Sequence, residues 1–261
     1  MDKNTTKIDH AIANGYSVDL GTVIEKAFEN YKKIALLGGL AYLLIVLAIV
    51  GIGSALAVTM LGINDFTETL TNLDPTKFTA VGIIIYVLGM VIISGLASPI
   101  NAGFFKMAHL AEHNKEFSIG TIFDYYKTAY FKELFIAASL LALINLGITF
   151  LFEFLEYQVI GVVFTYIITF FTLLYLPLIV FGNQNGIDAL VKSIQLVVKQ
   201  PFIVFALAVV GIVGVLVGLI GLCIGIFFTI PFWNSIIYTL YNTVFPADET
   251  SEIEDIGTTL D

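Results

Sequence analysis

The stretch His109-Leu110-Ala111-Glu112-His113 puts two imidazoles one helical turn apart with a carboxylate beside them. That spacing can hold zinc, and its order is that of an inverted zinc-protease motif. A protease also needs a third ligand and a folded substrate cleft, whereas this stretch runs into a short lysine-bearing connection. Asp124 and Asp188 are the third-ligand options on the same side, but no spacing ties them to the pair. A solvated helix end is the stronger reading, and His109 and His113 stand only as weak metal candidates. A membrane iron oxygenase would need several more inward-facing ligands than the three histidines, His10, His109 and His113, supply. No catalytic motif emerges, and no cofactor is called for.

Other polar residues invite a transport reading. Glu153 and Glu156 lie one turn apart at the end of an apolar run with no lysine nearby, where they can attract a cation. With Asn145 and Asn234 they form a candidate polar path; the same amides, like Asn101 and Asn242, more commonly hydrogen-bond between neighbouring helices. Gly211, Gly214, Gly218, Gly221 and Gly225 step by three and four along one helix side, a pattern for close helix packing. No P-loop lysine follows them.

The elements that position these residues are set by composition. The 261 residues are 58% hydrophobic and only 13% charged, with mean hydropathy +0.93, well outside the range of a soluble domain. Apolar runs of about 20 residues each suffice for a membrane span. They fall at about 34–60, 78–105, 134–152, 159–181, 202–222 and 225–245, flanked by a polar segment 1–16 and an acidic, disordered tail 246–261. The last two must be a hairpin turning near Gly218 to Gly225, because one helix from Pro201 to Ala247 would be roughly 70 Å long. All twelve basic residues are lysines, eleven on one side of this topology and Lys77 alone on the other. The positive-inside rule then places both termini in the cytoplasm of a bacterial inner membrane. The first residues lack a cleavable signal peptide's pattern. One cysteine, Cys223, excludes an intrachain disulfide, and a net charge of -9 excludes nucleic acid as a partner.

A threefold pattern follows. Behind the capping candidates Asp19, Ser118 and Asn185 run amphipathic stripes: Leu20, Val23, Ile24, Ala27, Phe28 and Tyr31; Ile119, Ile122, Phe123, Tyr126 and Tyr130; and Ile187, Leu190, Val191, Ile194 and Val198. The expected fold is all-α: six transmembrane helices built as three parallel two-helix repeats, each preceded by a cytoplasmic amphipathic helix. Pro99, Pro177 and Pro231 fall in the three return helices and bend them.

The segments Ser118 to Asp124 and Gly186 to Ser193, with Ile224 to Phe227, Pro231 and Tyr238 to Tyr241, resemble a bacterial polytopic superfamily. It is the one named for the membrane domain of some glycerophosphoryl diester phosphodiesterases. The resemblance implies a six-helix membrane domain and no particular activity; the soluble phosphodiesterase domain is absent. The expectation is therefore a non-enzymatic protein that binds lipid, a hydrophobic small molecule or a membrane protein partner, including a second copy. A transporter or channel is the second expectation, a metal-dependent membrane enzyme the third.

Overall fold

The computed structural model describes residues 3–62, 79–221 and 224–246. Lys77, Cys223 and the acidic tail residues from Asp248 onward lie outside them. The described residues are helical, without strands. The helices are α1 (Lys3–Asn14), α2 (Leu20–Leu61), α3 (Ala80–Glu112), α4 (Tyr130–Phe154), α5 (Gln158–Phe171), α6 (Tyr175–Val180), α7 (Gly186–Lys199), α8 (Pro201–Val217) and α9 (Gly225–Val244). Short 3-10 helices fill Ile119–Lys127 and Gly218–Gly221. Five helical stretches, within α2, α3, α4, α5–α6 and α8 to its following turn, are long and apolar enough to cross a membrane, the pattern of a multi-pass membrane protein.

The amphipathic segment ahead of the first apolar run is continuous with it. At 42 residues α2 is roughly 60 Å long, twice the hydrocarbon thickness, so its first turns stand outside the bilayer core. It starts at Asp19, whose carboxylate accepts from the Thr22 backbone N–H and hydroxyl, both at 2.7 Å. These bonds hold the Asp19 carboxyl below its ordinary range. Because the folded-state value is depressed, the cap stabilises helix α2 above the ordinary carboxylate range and is lost as pH falls through it. Hydrogen exchange at Val23 is expected to accelerate as pH falls below about 4, relative to Asp19→Asn, which keeps a cap that does not titrate. Equal pH profiles would reject this role.

The fourth apolar run is two helices rather than one. Pro177 has no N–H to give the Leu173 carbonyl, and its ring crowds that carbonyl; the Thr172 hydroxyl meanwhile bonds back to Ile168 O at 2.8 Å. The chain breaks over 172–174 and resumes as α6. Ser193 of α7, fully buried, sits in the break: its hydroxyl donates to Phe171 O and accepts from the Leu174 N–H, both at 3.0 Å. One side chain thereby satisfies a donor and an acceptor that the break releases inside a span. At Pro99 a local solution serves, with Ser98 Oγ donating to the freed Gly95 carbonyl at 2.8 Å.

The polar N-terminal segment contributes a packed helix. α1 buries Ile8 and docks on α7 through an Asp9–Lys192 ion pair of 2.7 Å. Gln184 Nε2 donates to Thr5 Oγ1, and the Tyr16 hydroxyl to Leu196 O. Burial pushes the Tyr16 hydroxyl up to about 12.

The last helix is the hub. α9 packs against α2, α8 and α3, and Pro231, Phe232 and every residue from Asn234 to Tyr241 are buried. Its polar Asn234, Ser235 and Thr239 are buried, covered by the neighbouring helices. The glycines of α8 face it: a Cβ at Gly211 would lie 2.8 Å from the Trp233 ring, and one at Gly218 would lie 2.6 Å from Ile226 Cα. Gly214 meets Phe232, and Gly225 meets Gly218 itself, while Gly221 has open space around it. The small-residue stripe thus serves a contact within the chain. α2 approaches α9 equally closely through Gly38 and Gly39, against Pro231 and Phe228.

Packing is concentrated at the lysine-rich end. No side chain of α2 from Leu43 to Thr59 is buried, nor any of α3 from Val81 to Ser94. Gly51, Gly53, Gly89 and Gly147 have nothing within 4 Å of a Cβ position.

Candidate functional site

The first turns of α2 carry a second stripe, opposite the apolar one: Thr22, Glu25, Lys26, Glu29 and Lys33, at helical spacing. α2 presents it toward the C-terminal end of α3, and with Asn30 and Glu112 it lines a cleft of about 410 Å³. α3 ends there in a Schellman turn, in which Lys115 N donates to Leu110 O, Asn114 N to Ala111 O, and Asn114 adopts φ 53°. Lys33 Nζ caps the same end, donating to Ala111 O at 3.0 Å and Asn114 Oδ1 at 2.8 Å. Glu29 is paired with Lys32 at 2.5 Å.

A buried hydrogen-bonded network backs the cleft. Asn30 Nδ2 donates to Ala108 O at 2.6 Å and its Oδ1 accepts from Ser235 Oγ at 3.0 Å, so one amide joins α2, α3 and α9. Asn242 Nδ2 donates to Glu112 Oε2 at 3.1 Å. The buried Tyr238 hydroxyl lies 3.1 Å from His109 Nδ1. A step further into the bundle, Asn234 Nδ2 donates to Tyr42 OH at 2.9 Å, and Tyr42 stacks on Phe104 at 3.8 Å.

His109 and His113 do lie side by side, with ring centroids 4.4 Å apart and the rings tilted by 45°. The Nδ1 of His113 bonds to the His109 carbonyl at 2.8 Å, and that of His109 faces Tyr238. Asp124 is taken by Lys106 at 2.7 Å and Asp188 by Asn185 at 2.6 Å. Among the described residues, no three His, Cys, Asp or Glu side chains gather around one point. The chemistry these groups can perform at the cleft is polar recognition.

The four polar-path candidates fall in two places. Asn234 is in the α9–α2 interface, whereas Asn145, Glu153 and Glu156 are on or just after α4, which packs on α3 and α5. Glu153 accepts from Gln158 Nε2 at 3.5 Å, and Glu156 is exposed with φ 62° in the α4–α5 turn. Asn145 Oδ1 is buried with no hydrogen-bond partner. An orphaned acceptor costs its desolvation, about 1–3 kcal/mol, so Asn145→Leu is expected to leave thermal stability unchanged or raise it. A fall in melting temperature would mean that this oxygen has a partner in the membrane. Asn101 is exposed.

Thr22, Glu25, Lys26, Glu29, Asn30 and Lys33 are not distinguishable in sequence from the solvated back of an amphipathic helix. Their complementary stripe is the one available signal, and only the end of α3 gives it a wall to face. A larger hollow, about 570 Å³, opens between α1 and the end of α9, with Lys7 and His10 over an apolar floor of Ala11, Val244 and Phe245. It is the smaller cleft that the buried network reaches.

No family model, curated protein or solved structure matches the chain. The cleft and its network therefore carry the functional argument alone.

Proposed function

We propose that the chain is a non-enzymatic, six-span protein of the bacterial cytoplasmic membrane that holds a zwitterionic lipid headgroup in the α2–α3 cleft, its lysine-rich end facing the cytoplasm. α9 is the sixth span, shielded from lipid by its neighbours. Three capped amphipathic elements at one end accord with three parallel repeats, as does the resemblance to the phosphodiesterase-associated membrane superfamily.

The observation that carries the binding reading is the cleft itself. Its lining offers two ammonium groups, Lys26 and Lys33, and three carboxylates, Glu25, Glu29 and Glu112. A volume of about 410 Å³ is within the usual range of small-ligand sites, and the cleft sits where α2 leaves its apolar run at Ile34, near headgroup depth. A headgroup with a phosphate and an ammonium would meet both signs of charge. Native mass spectrometry of gently released protein should show one retained phospholipid per chain. The charge-swapped pair Glu25→Lys with Lys26→Glu should retain it at least fivefold less while folding normally, since both residues are exposed. A wild-type protein without lipid, or equal retention by the pair, would reject the reading.

A transporter is the second reading, favoured by the broken helix α5–α6, since discontinuous spans build many transport sites. Against it, Ser193 already takes up the groups that the break frees. Proteoliposomes that carry no tested ion or solute would remove it.

A further inference from the structure

α7 has two apolar faces, and the bundle uses only one. Ala189, Leu190, Ser193, Leu196 and Val197 are buried against the other helices. Ile187, Val191, Ile194 and Val198 are 56%, 48%, 42% and 55% exposed, and their spacing of four, three and four residues makes them one continuous row on the opposite side.

We propose that α7 lies in the membrane interface with this row inserted among the acyl chains of the leaflet at the lysine-rich end. The helix is held at membrane depth: Ser193 is seated in the break of a spanning stretch, between Phe171 and Leu174, and Gly186 N–H donates to Glu133 Oε2 in the first turn of α4 at 2.8 Å. The row is continuous in the chain with the lipid-facing start of α8, where Phe202 is 86% and Phe205 59% exposed. Four half-exposed side chains amount to a few hundred Å², short of the roughly 800 Å² that each partner of a stable protein complex contributes. Such a row is well suited to burial in a leaflet, with Lys199 at its end free to extend toward headgroups. On the far side, the Asp9–Lys192 pair clamps α1, leaving α7 between the leaflet and a water-facing helix. This placement does not depend on whether the α2–α3 cleft holds a headgroup.

The test uses single cysteines in a Cys223→Ser background, at Val191, Ile194 or Val198, with His10 on α1 as reference, each labelled with a bimane fluorophore. The full chain is reconstituted in vesicles of phosphatidylcholine and phosphatidylglycerol with or without bromine on the acyl chains. The expected result is at least twofold quenching by brominated lipid at the α7 positions with little effect of aqueous iodide, and the reverse at His10. Iodide quenching at α7 equal to that at His10 would overturn the proposal by placing the row in water. Protection from both quenchers would overturn it in favour of a protein-covered surface, a second copy of the chain being identified by cross-linking. The three label sites are independent, so misfolding of one variant leaves the others to decide.

Discussion

Ser193→Ala is expected to destabilise the protein by about 2–4 kcal/mol, read from thermal or denaturant unfolding in detergent. The hydroxyl serves two backbone groups released by the α5–α6 break, Phe171 C=O and Leu174 N–H. Leaving a buried group unsatisfied costs about 1–3 kcal/mol each, and within a membrane no water replaces the lost partner. Side-chain hydrogen bonds between membrane helices often measure near 0.6 kcal/mol because the unfolded reference finds other partners. Here the reference is a backbone break that Pro177 imposes in the folded state, so the higher figure is expected. Ser193→Thr keeps the hydroxyl but adds a methyl at a fully buried position, and its cost should be one of packing alone. A Ser193→Ala protein within 0.5 kcal/mol of wild type would show that the break satisfies itself.

Gly39→Leu should abolish accumulation of folded protein, or cost more than about 3 kcal/mol where it can be purified. A Cβ at Gly39 would stand 2.7 Å from the Phe228 Cα. Backbone cannot step aside as a flexible side chain can, so the cost exceeds the 1–3 kcal/mol of ordinary overpacking. The control is on the same helix: Gly51 has nothing within 4 Å, and Gly51→Leu should be neutral within about 0.5 kcal/mol or slightly favourable through helix propensity. Comparable losses at both positions would mean that the α2–α9 crossing lies elsewhere along α2.

Helical membrane character was legible in the sequence because it rests on a quantity that sums over many residues, the apolar run against bilayer thickness. The helix starts at Asp19 and Asn185 were legible because a cap is local: each side chain accepts from the N–H three residues on. What escaped depends on register between distant elements. Pro177 marked a bend, but only the fold shows Ser193 filling it, since the same serine reads as a polar interruption in an amphipathic stripe. The stripe on α7 has a real apolar period, but of its residues only Leu190 is buried, and the side that packs, with Ala189, Ser193 and Val197, depends on neighbours that the period does not name. α1 reads in sequence as a polar segment because its apolar content is small and its docking depends on Asp9 meeting Lys192. The α2–α3 cleft follows the same rule: Glu112 reads as part of a histidine motif, while its partner Asn242 is more than a hundred residues away.

Cysteine labelling in intact bacterial cells tests the proposed even-span bundle, whose cleft and polar network face the cytoplasm. With Cys223→Ser as background, single cysteines at His10, Lys26 and Pro246 are expected to resist a membrane-impermeant maleimide until the cells are opened. A cysteine at Glu156, in the turn between α4 and α5, should react from outside. Labelling of His10 and Pro246 from opposite sides, or of Lys26 from outside, would contradict both the span count and the orientation.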